Sequence, residues 1–297
     1  MMKVDAVFAG GGVKAFTFIG AMKALEENNY SIERVAGTSA GAITAALIKA
    51  GYTAEELTSI LLPVESKDIL DETLVTEYLP WLAWLLVYRK LGLYKGEKLE
   101  NWIQELLRRK GVHSFRDLPE GSLKIIASDV TAGRMIVFPD DIPSYGKNIS
   151  TFPLSRAIRM SCSLPYFFQP VKWKMTKKKN HLILDGGLLS NFPMWIFQDD
   201  IEGKLQRPVI GFQLSPAMEE GEVKKIKNAV ILYQSLFDTM RKAHDLRYIS
   251  KNDAKNIVFL TVDDVKTTQF TLSLEQKQQL IDMGQQQTLS YLKTWTG

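Results

Sequence analysis

Along the chain, apolar residues gather into short continuous runs that alternate with stretches repeating at a helical period. "VDAVFAG", residues 4–10, is a buried-strand pattern. The segment from about Ala15 to Asn28 then places Phe18, Met22 and Leu25 on one helical face. A short strand over about Ile32 to Ala36 precedes a helix through "AGAITAALIKAG", which Gly51 can end in a left-handed cap. Thr53 with Glu56 is a capping-box pair that opens another helix. Residues 63–110 read as helical throughout, after which "LKIIASDV" and "RMIVFP" return to strand and a helix follows near Leu154 to Ser161. "VKWKMTKKKNHLILDGG" has the pattern of two strands joined by a lysine-rich turn, and "RPVIGFQLS" and "KNIVFLTVDD" add two more. Helices are expected over about Glu222 to Tyr248 and Leu274 to Thr294, the second opened by Ser273 and Gln276 as a capping box. The chain carries no repeat, linker or low-complexity segment. The pattern therefore predicts one α/β domain over residues 1–297, with a helical cap inserted at about 63–110 and C-terminal helices at about 222–297.

Composition changes this picture mainly by exclusion. The chain has 297 residues, 45% hydrophobic and 24% charged, which is the balance of a folded globular protein. A net charge of +4 gives no support to nucleic-acid binding, so attraction to anionic surfaces has to come from local patches. The single cysteine, Cys162, excludes an internal disulfide and a cysteine-based metal cluster and suits a reducing compartment. "MMKVDAVFAGGG" lacks the longer apolar core and cleavage site of a signal peptide, so a cytoplasmic location is expected. "YLPWLAWLLVY", residues 78–88, is roughly half the ~20 residues that a membrane-crossing helix needs. It suits a buried or interfacial helix.

Three short motifs carry candidate chemistry. "GTSAG" sets Ser39 two residues from Gly37 and from Gly41, between a predicted strand and a predicted helix. This is the setting of a nucleophile elbow, where the turn is so tight that larger neighbours collide and the hydroxyl is pushed outward. The helix that begins at Ala40 turns its unpaired N–H groups and positive dipole end toward that hydroxyl. "GGGVKAF" places Gly10, Gly11 and Gly12 at another strand-to-helix corner, where unobstructed N–H groups can cradle an anion. Gly10, Gly12 and Ala15 also fit a dinucleotide fingerprint, with Glu33 at the distance of its acidic residue. A cofactor site would not explain the elbow serine one strand away, whereas an oxyanion loop explains both glycine clusters. In "LILDGGLLSNFP", Asp185 ends an apolar strand and Gly186 and Gly187 allow close backbone approach. His113, His181 and His244 lie in no motif, so the partner expected for Ser39 is Asp185. A carboxylate with a pKa near 4 serves as a base for serine only when desolvated and directly hydrogen-bonded to it.

In this order, "GGGVKA", "GTSAG" and "DGG" resemble the glycine-rich oxyanion motif, the nucleophile elbow and the catalytic Asp-Gly-Gly of the patatin-like phospholipases. The resemblance spans about Val4 to Pro193. It implies a three-layer α/β/α fold with a mostly parallel central sheet, and lipid acyl hydrolysis by a Ser-Asp dyad without histidine, calcium or an organic cofactor. Carried over, Ser39 is the nucleophile, Asp185 its base, and the glycine loop the oxyanion hole through the N–H groups of Gly11 and Gly12. Lys14 falls where the family has a basic residue, and Ser161 and Pro165 in "RMSCSLPYFF" match its small-residue block. Ala15 replaces a usual glycine, and Met160 and Ser163 replace usual alanines. The implied partner is a lipid or phospholipid substrate. Trp173 with Lys172, Lys174, Lys177, Lys178 and Lys179 joins an aromatic group to cations that suit anionic headgroups. Together with Trp81 and Trp84, this hairpin is expected to form an interfacial face that contacts membranes peripherally. The alternatives are a nucleotide-binding oxidoreductase using the glycine loop and a catalytically silent lipid-binding regulator.

Overall fold

The fold was analysed on a computed structural model that describes residues 1–71, 83–174, 180–197, 207–215, 254–262 and 271–296, with 226, 232, 235–237, 239 and 240 between them. The strands are β1 (Met2–Phe8), β2 (Tyr30–Thr38), β3 (Gly92–Tyr94), β4 (Leu123–Asp129), β5 (Arg134–Phe138), β6 (Tyr166–Phe168), β7 (Val171–Lys174), β8 (Asn180–Asp185), β9 (Val209–Ser215) and β10 (Ile257–Thr261). The helices are α1 (Phe16–Glu27), α2 (Ala40–Lys49), α3 (Ala54–Leu61), α4 (Ser66–Ile69), α5 (Ala83–Lys90), α6 (Glu97–Arg109), α7 (Leu154–Ser161) and α8 (Leu274–Leu292). Both expected capping boxes form, at Thr53/Glu56 and at Ser273/Gln276. Gly51 takes the left-handed φ of +88° that ends α2. The helix expected over Glu222–Tyr248 lies mostly outside the described residues.

The main sheet runs β10-β9-β1-β2-β4-β8-β7, with β5 also on β4. Strands β10, β9, β1, β2 and β4 pair in parallel, while β5, β8 and β7 add antiparallel pairs. Val4, Ala6, Phe8, Val35, Ile125 and Ala127 are all inaccessible, because helices cover the parallel part of the sheet. On one side α1 packs closely on α8: a Cβ at Gly20 would lie 1.8 Å from Ile281 O, and one at Gly284 would lie 2.0 Å from Thr17 O. This is why glycine recurs inside two long helices.

One register governs everything that follows. Strand β5 occupies one edge of β4 from Ile125 to Asp129. The opposite edge is shared, with β2 pairing on Leu123–Ile126 and β8 pairing on Ala127–Asp129. Since β2 runs parallel to β4 and β8 antiparallel, the two C-terminal ends meet head to head: Thr38 is opposite Ile126 and Asp185 is opposite Ala127.

The segment 63–110 differs from the helical cap expected of it. Leu91 turns left-handed at φ +61° after α5, and β3 then pairs in parallel with β6. A three-residue strand is too short for a period of two to show in sequence. Its contact is nonetheless intimate, since a Cβ at Gly92 would lie 2.4 Å from Gln169 N. Helix α6 buries Leu99, Ile103, Leu106 and Leu107 in the main core, so it is a helix of the packed layer. No helix among the described residues is long and apolar enough to cross a membrane.

Candidate active site

The head-to-head meeting of β2 and β8 brings Ser39 and Asp185 to neighbouring positions at the end of one strand edge. Ser39 sits at φ +55°, ψ −124°, a conformation that costs a residue with a Cβ about 1–3 kcal/mol. The glycines around it show why the turn exists in this form. A Cβ at Gly37 would lie 2.3 Å from Gly41 O, and one at Gly41 would lie 2.3 Å from Phe8 O. Helix α2 therefore starts directly against the end of β1, and Ser39, half-buried, is carried at its N-terminus.

Asp185 is buried, with its Oδ1 accepting the Gly187 N–H at 2.8 Å. Gly186 is required by the strand junction itself: a Cβ there would lie 2.4 Å from Ile126 O and 2.9 Å from Thr38 Cγ2. Thr38 Oγ1 donates to Ser190 O at 3.0 Å, which ties the residue before the serine to the loop after the aspartate.

The glycine loop lies beside both. A Cβ at Gly10 would lie 3.3 Å from Ser39 Cβ and 2.5 Å from Asn191 Oδ1. The Gly10 N–H donates to Asn191 O at 3.1 Å, which anchors the start of the glycine loop to the segment after Asp185. Gly12 takes φ +56°, and a Cβ at Gly11 would lie 1.9 Å from Leu214 Cδ1. Lys14 Nζ donates to Val262 O at 3.1 Å, tying the turn after the loop to the end of β10. Asn191 reaches both arms of the site, since its Oδ1 also lies 3.3 Å from the Cβ position of Gly187. Asn191 belongs to none of the three motifs; its placement six residues after Asp185, just ahead of Phe192 and Pro193, is the signal the sequence carries for it.

The end of α7, where Ser161 matched the family's small-residue block, turns out to hold the backbone of the site. Ser161 Oγ accepts the Ser39 N–H at 2.9 Å and donates to Ile126 O at 2.6 Å. Ser163 O accepts the Asp185 N–H at 3.0 Å. Arg159, buried, donates to Ser163 Oγ, Gly96 O, Lys95 O and Gln169 O. Burial pushes the Arg159 guanidinium down to about 10, where it is still charged at neutral pH. Cys162 between the two serines is buried, and desolvation together with the nearby Asp185 carboxylate raises its thiol well above the ordinary range. It is therefore not a competing nucleophile.

A family model described as patatin-like phospholipase matches residues 6–197, the span that holds the loop, the elbow and the Asp-Gly-Gly turn. The chain belongs to the patatin-like phospholipase family. It is 48% identical over 295 residues to the uncharacterized protein YqhO of Bacillus subtilis (strain 168), covering 99% of this chain and 100% of that one. It is 25% identical over 191 residues to the probable lipid hydrolase 463L of Invertebrate iridescent virus 6, covering 63% of this chain and 61% of that one. The solved structure of the type III effector protein ExoU aligns with a TM-score of 0.55 at 19% identity, over 99% of this chain and 53% of that one, and so shares the fold. Membership of the patatin-like family fits a lipid hydrolase.

Other expectations for this patatin-like chain fare differently. Glu33 lies in the first half of β2, where its carboxylate is 3.5 Å from Lys3 Nζ, and the C-terminal end of that strand carries Thr38 and Ser39. A dinucleotide site needs its acidic residue at that end. His181 Nδ1 is 2.5 Å from Asp129 Oδ2, and His244 lies outside the described residues. Trp173 corrects the expected interfacial face. Its ring is buried, stacked on Tyr145 at 4.3 Å and on Phe152 at 5.2 Å, because alternation along β7 turns it inward while Lys172 and Lys174 face out. Trp81, Lys177, Lys178 and Lys179 lie outside the described residues, as does the Trp84 side chain.

Proposed function

We propose that the protein is a serine-dependent lipid acyl hydrolase of phospholipase or lysophospholipase type, working through Ser39 and Asp185. The observation that carries this reading is the head-to-head meeting of β2 and β8 on one edge of β4, beside a glycine loop in which Gly10 is anchored through its N–H while Gly11 and Gly12 make no such backbone bond among the described residues. Asp185 takes the proton as Ser39 Oγ bonds to the ester carbonyl carbon, and the carbonyl oxygen gathers charge against Gly11 and Gly12. Collapse of that intermediate breaks the carbon–oxygen bond to the alcohol, which leaves with the proton from Asp185. Water, deprotonated by the same carboxylate, then frees the fatty acid and returns the proton to Ser39. Asp185 is buried, which keeps bulk water from competing for the proton it would take from Ser39.

The decisive test is labelling by a fluorophosphonate, with adduct mapping and 4-nitrophenyl ester hydrolysis in parallel. Labelling at Ser39 that disappears in Ser39→Ala and drops steeply in Asp185→Asn is the expected result. Folded wild-type protein that takes no label, with or without vesicles, would instead favour a binding role for the same loops.

Peripheral membrane contact belongs to this reading at a corrected location. Tyr88, Leu91 and Tyr166 are exposed around the β3–β6 pair, with Arg89 and Lys90 beside them. Aromatic and aliphatic groups flanked by cations suit an anionic lipid surface. Cosedimentation with phosphatidylglycerol vesicles should fall in Arg89→Glu/Lys90→Glu while soluble-ester hydrolysis stays unchanged; undiminished cosedimentation would remove this face from consideration.

A further inference from the structure

The Ser39 N–H needs a partner, because the elbow turn points it into the protein. In an acyl hydrolase a backbone N–H at the nucleophile is also a ready oxyanion donor. Here it is already spent, on Ser161 Oγ at 2.9 Å, and that hydroxyl in turn donates a hydrogen bond to Ile126 O at 2.6 Å. Ser161 is fully inaccessible, so water does not compete for either bond. Two residues later, Ser163 O takes the Asp185 N–H at 3.0 Å, and Ser163 Oγ is held from both sides by Arg159, accepting from Nη1 at 2.6 Å and donating to the carbonyl at 2.9 Å. The end of α7 thus grips the backbone of both candidate catalytic residues, and both grips lie at Ile126–Ala127, where β2 and β8 meet.

A head-to-head strand junction has no ladder hydrogen bond across it to fix the spacing of its two ends. Each end pairs with β4, and among the described residues no strand pairing joins β2 to β8. From this we propose that Ser161 is a positioning residue: its hydroxyl holds Ser39 in the left-handed elbow conformation and, with Ser163, sets the separation of nucleophile and base. The inference rests on the reading of Ser39 and Asp185 as the catalytic pair, although the backbone bond it invokes can be tested without it. A corollary is that the oxyanion is served by Gly11 and Gly12 without Ser39.

The test compares wild type, Ser161→Ala and Ser161→Thr by ester kinetics, fluorophosphonate labelling rate and residue-resolved amide exchange. Loss of the hydroxyl should lower kcat and the labelling rate together by about 10–100-fold with KM little changed, the size expected when a reacting group drifts by about an ångström. The Ser39 amide should exchange at least about tenfold faster than in wild type. Threonine, which keeps the hydroxyl, should restore protection and most of kcat. Tyr145→Phe serves as a control destabilised away from the site, and should keep wild-type kcat. A Ser161→Ala protein with kcat within twofold of wild type, or with unchanged Ser39 exchange, overturns the proposal. If that variant does not fold, wild type still decides, because a half-buried Ser39 whose amide exchanges at the rate of an unprotected one is not held. If wild type hydrolyses no ester and takes no label, the proposed function fails, and the exchange comparison still answers whether Ser161 grips Ser39.

Discussion

Arg159→Leu removes a buried cation that holds three separate pieces of chain through four acceptors. Nε donates to Gly96 O at 3.0 Å, Nη1 to Ser163 Oγ at 2.6 Å, and Nη2 to Lys95 O at 2.6 Å and Gln169 O at 2.9 Å. The guanidinium also lies over the Phe168 ring at 4.9 Å, and it occupies the space a Gly96 side chain would need, with Nε 2.0 Å from the Cβ position. Among the described residues no carboxylate lies within ion-pair distance, so the charge is met by three carbonyls, the Ser163 hydroxyl and the Phe168 ring, with Glu100 and Asp71 acting from farther away. A buried acceptor that loses its donor costs about 1–3 kcal/mol, and four such losses do not add because the loops relax together. Relief of the desolvated cation offsets part of the loss. The net expectation is a destabilisation of about 3–5 kcal/mol, read by urea unfolding followed through tryptophan fluorescence as a lower midpoint at unchanged slope. Arg159→Lys should fall between, since an ammonium keeps the charge but lacks the planar fork that reaches four acceptors. A loss below about 1 kcal/mol for Arg159→Leu would refute the reasoning, and would mean that β3, β6 and the end of α7 are held by their apolar contacts.

Three further outcomes follow from the same geometry. Gly41→Ala should cost about 3 kcal/mol or prevent folding, despite the better helix propensity of alanine, because its Cβ would lie 2.3 Å from Phe8 O and 2.6 Å from Ala9 O; thermal unfolding checks it. Gly284→Ala should open the α1–α8 contact at Thr17 O, 2.0 Å from the new Cβ, and lower stability by about 2 kcal/mol with little change in labelling at Ser39. Burial raises the pKa of Asp129, but bonds from Tyr145, His181 and the Ala132 N–H outweigh it, and the net result lies below the ordinary carboxylate value. A depressed carboxylate stabilises the fold above its unfolded pKa, and that contribution disappears as pH falls through the folded value. Asp129→Asn should therefore lower stability at pH 7 and flatten its decline between about pH 5 and 2; an unchanged acid limb would contradict the assignment.

Much of the fold was already written in local patterns. Continuous apolar runs marked β1, β4 and β9 because a strand covered on both faces has no polar side to display, and the same kind of run marked the edge strand β10, although its Phe259 is exposed. The capping pairs Thr53/Glu56 and Ser273/Gln276 marked helix starts because they act within one turn. The glycines of "GTSAG" and "DGG" announced close backbone approach, and Gly37, Gly41 and Gly186 each meet a carbonyl within 2.4 Å of where a Cβ would sit. What residue patterns left open was everything that depends on which distant segments meet. Alternation in "VKWK" fitted an aromatic facing lipid as well as one facing the core, until the rings of Tyr145 and Phe152 placed Trp173 inside. The break at Leu91–Gly92 exists only because β6 is there to pair with it. Gly10 looked like its two neighbours until Asn191, 181 residues away in sequence, claimed its N–H. The duties of Ser161, Ser163 and Arg159 are carried by bonds to Ser39, Asp185 and Gly96, and no periodicity records them. Local geometry is encoded by residues within a turn or a strand of each other. The sharing of one edge of β4 between two strand ends, which creates the site, is a property of sheet register and came only from the tertiary structure.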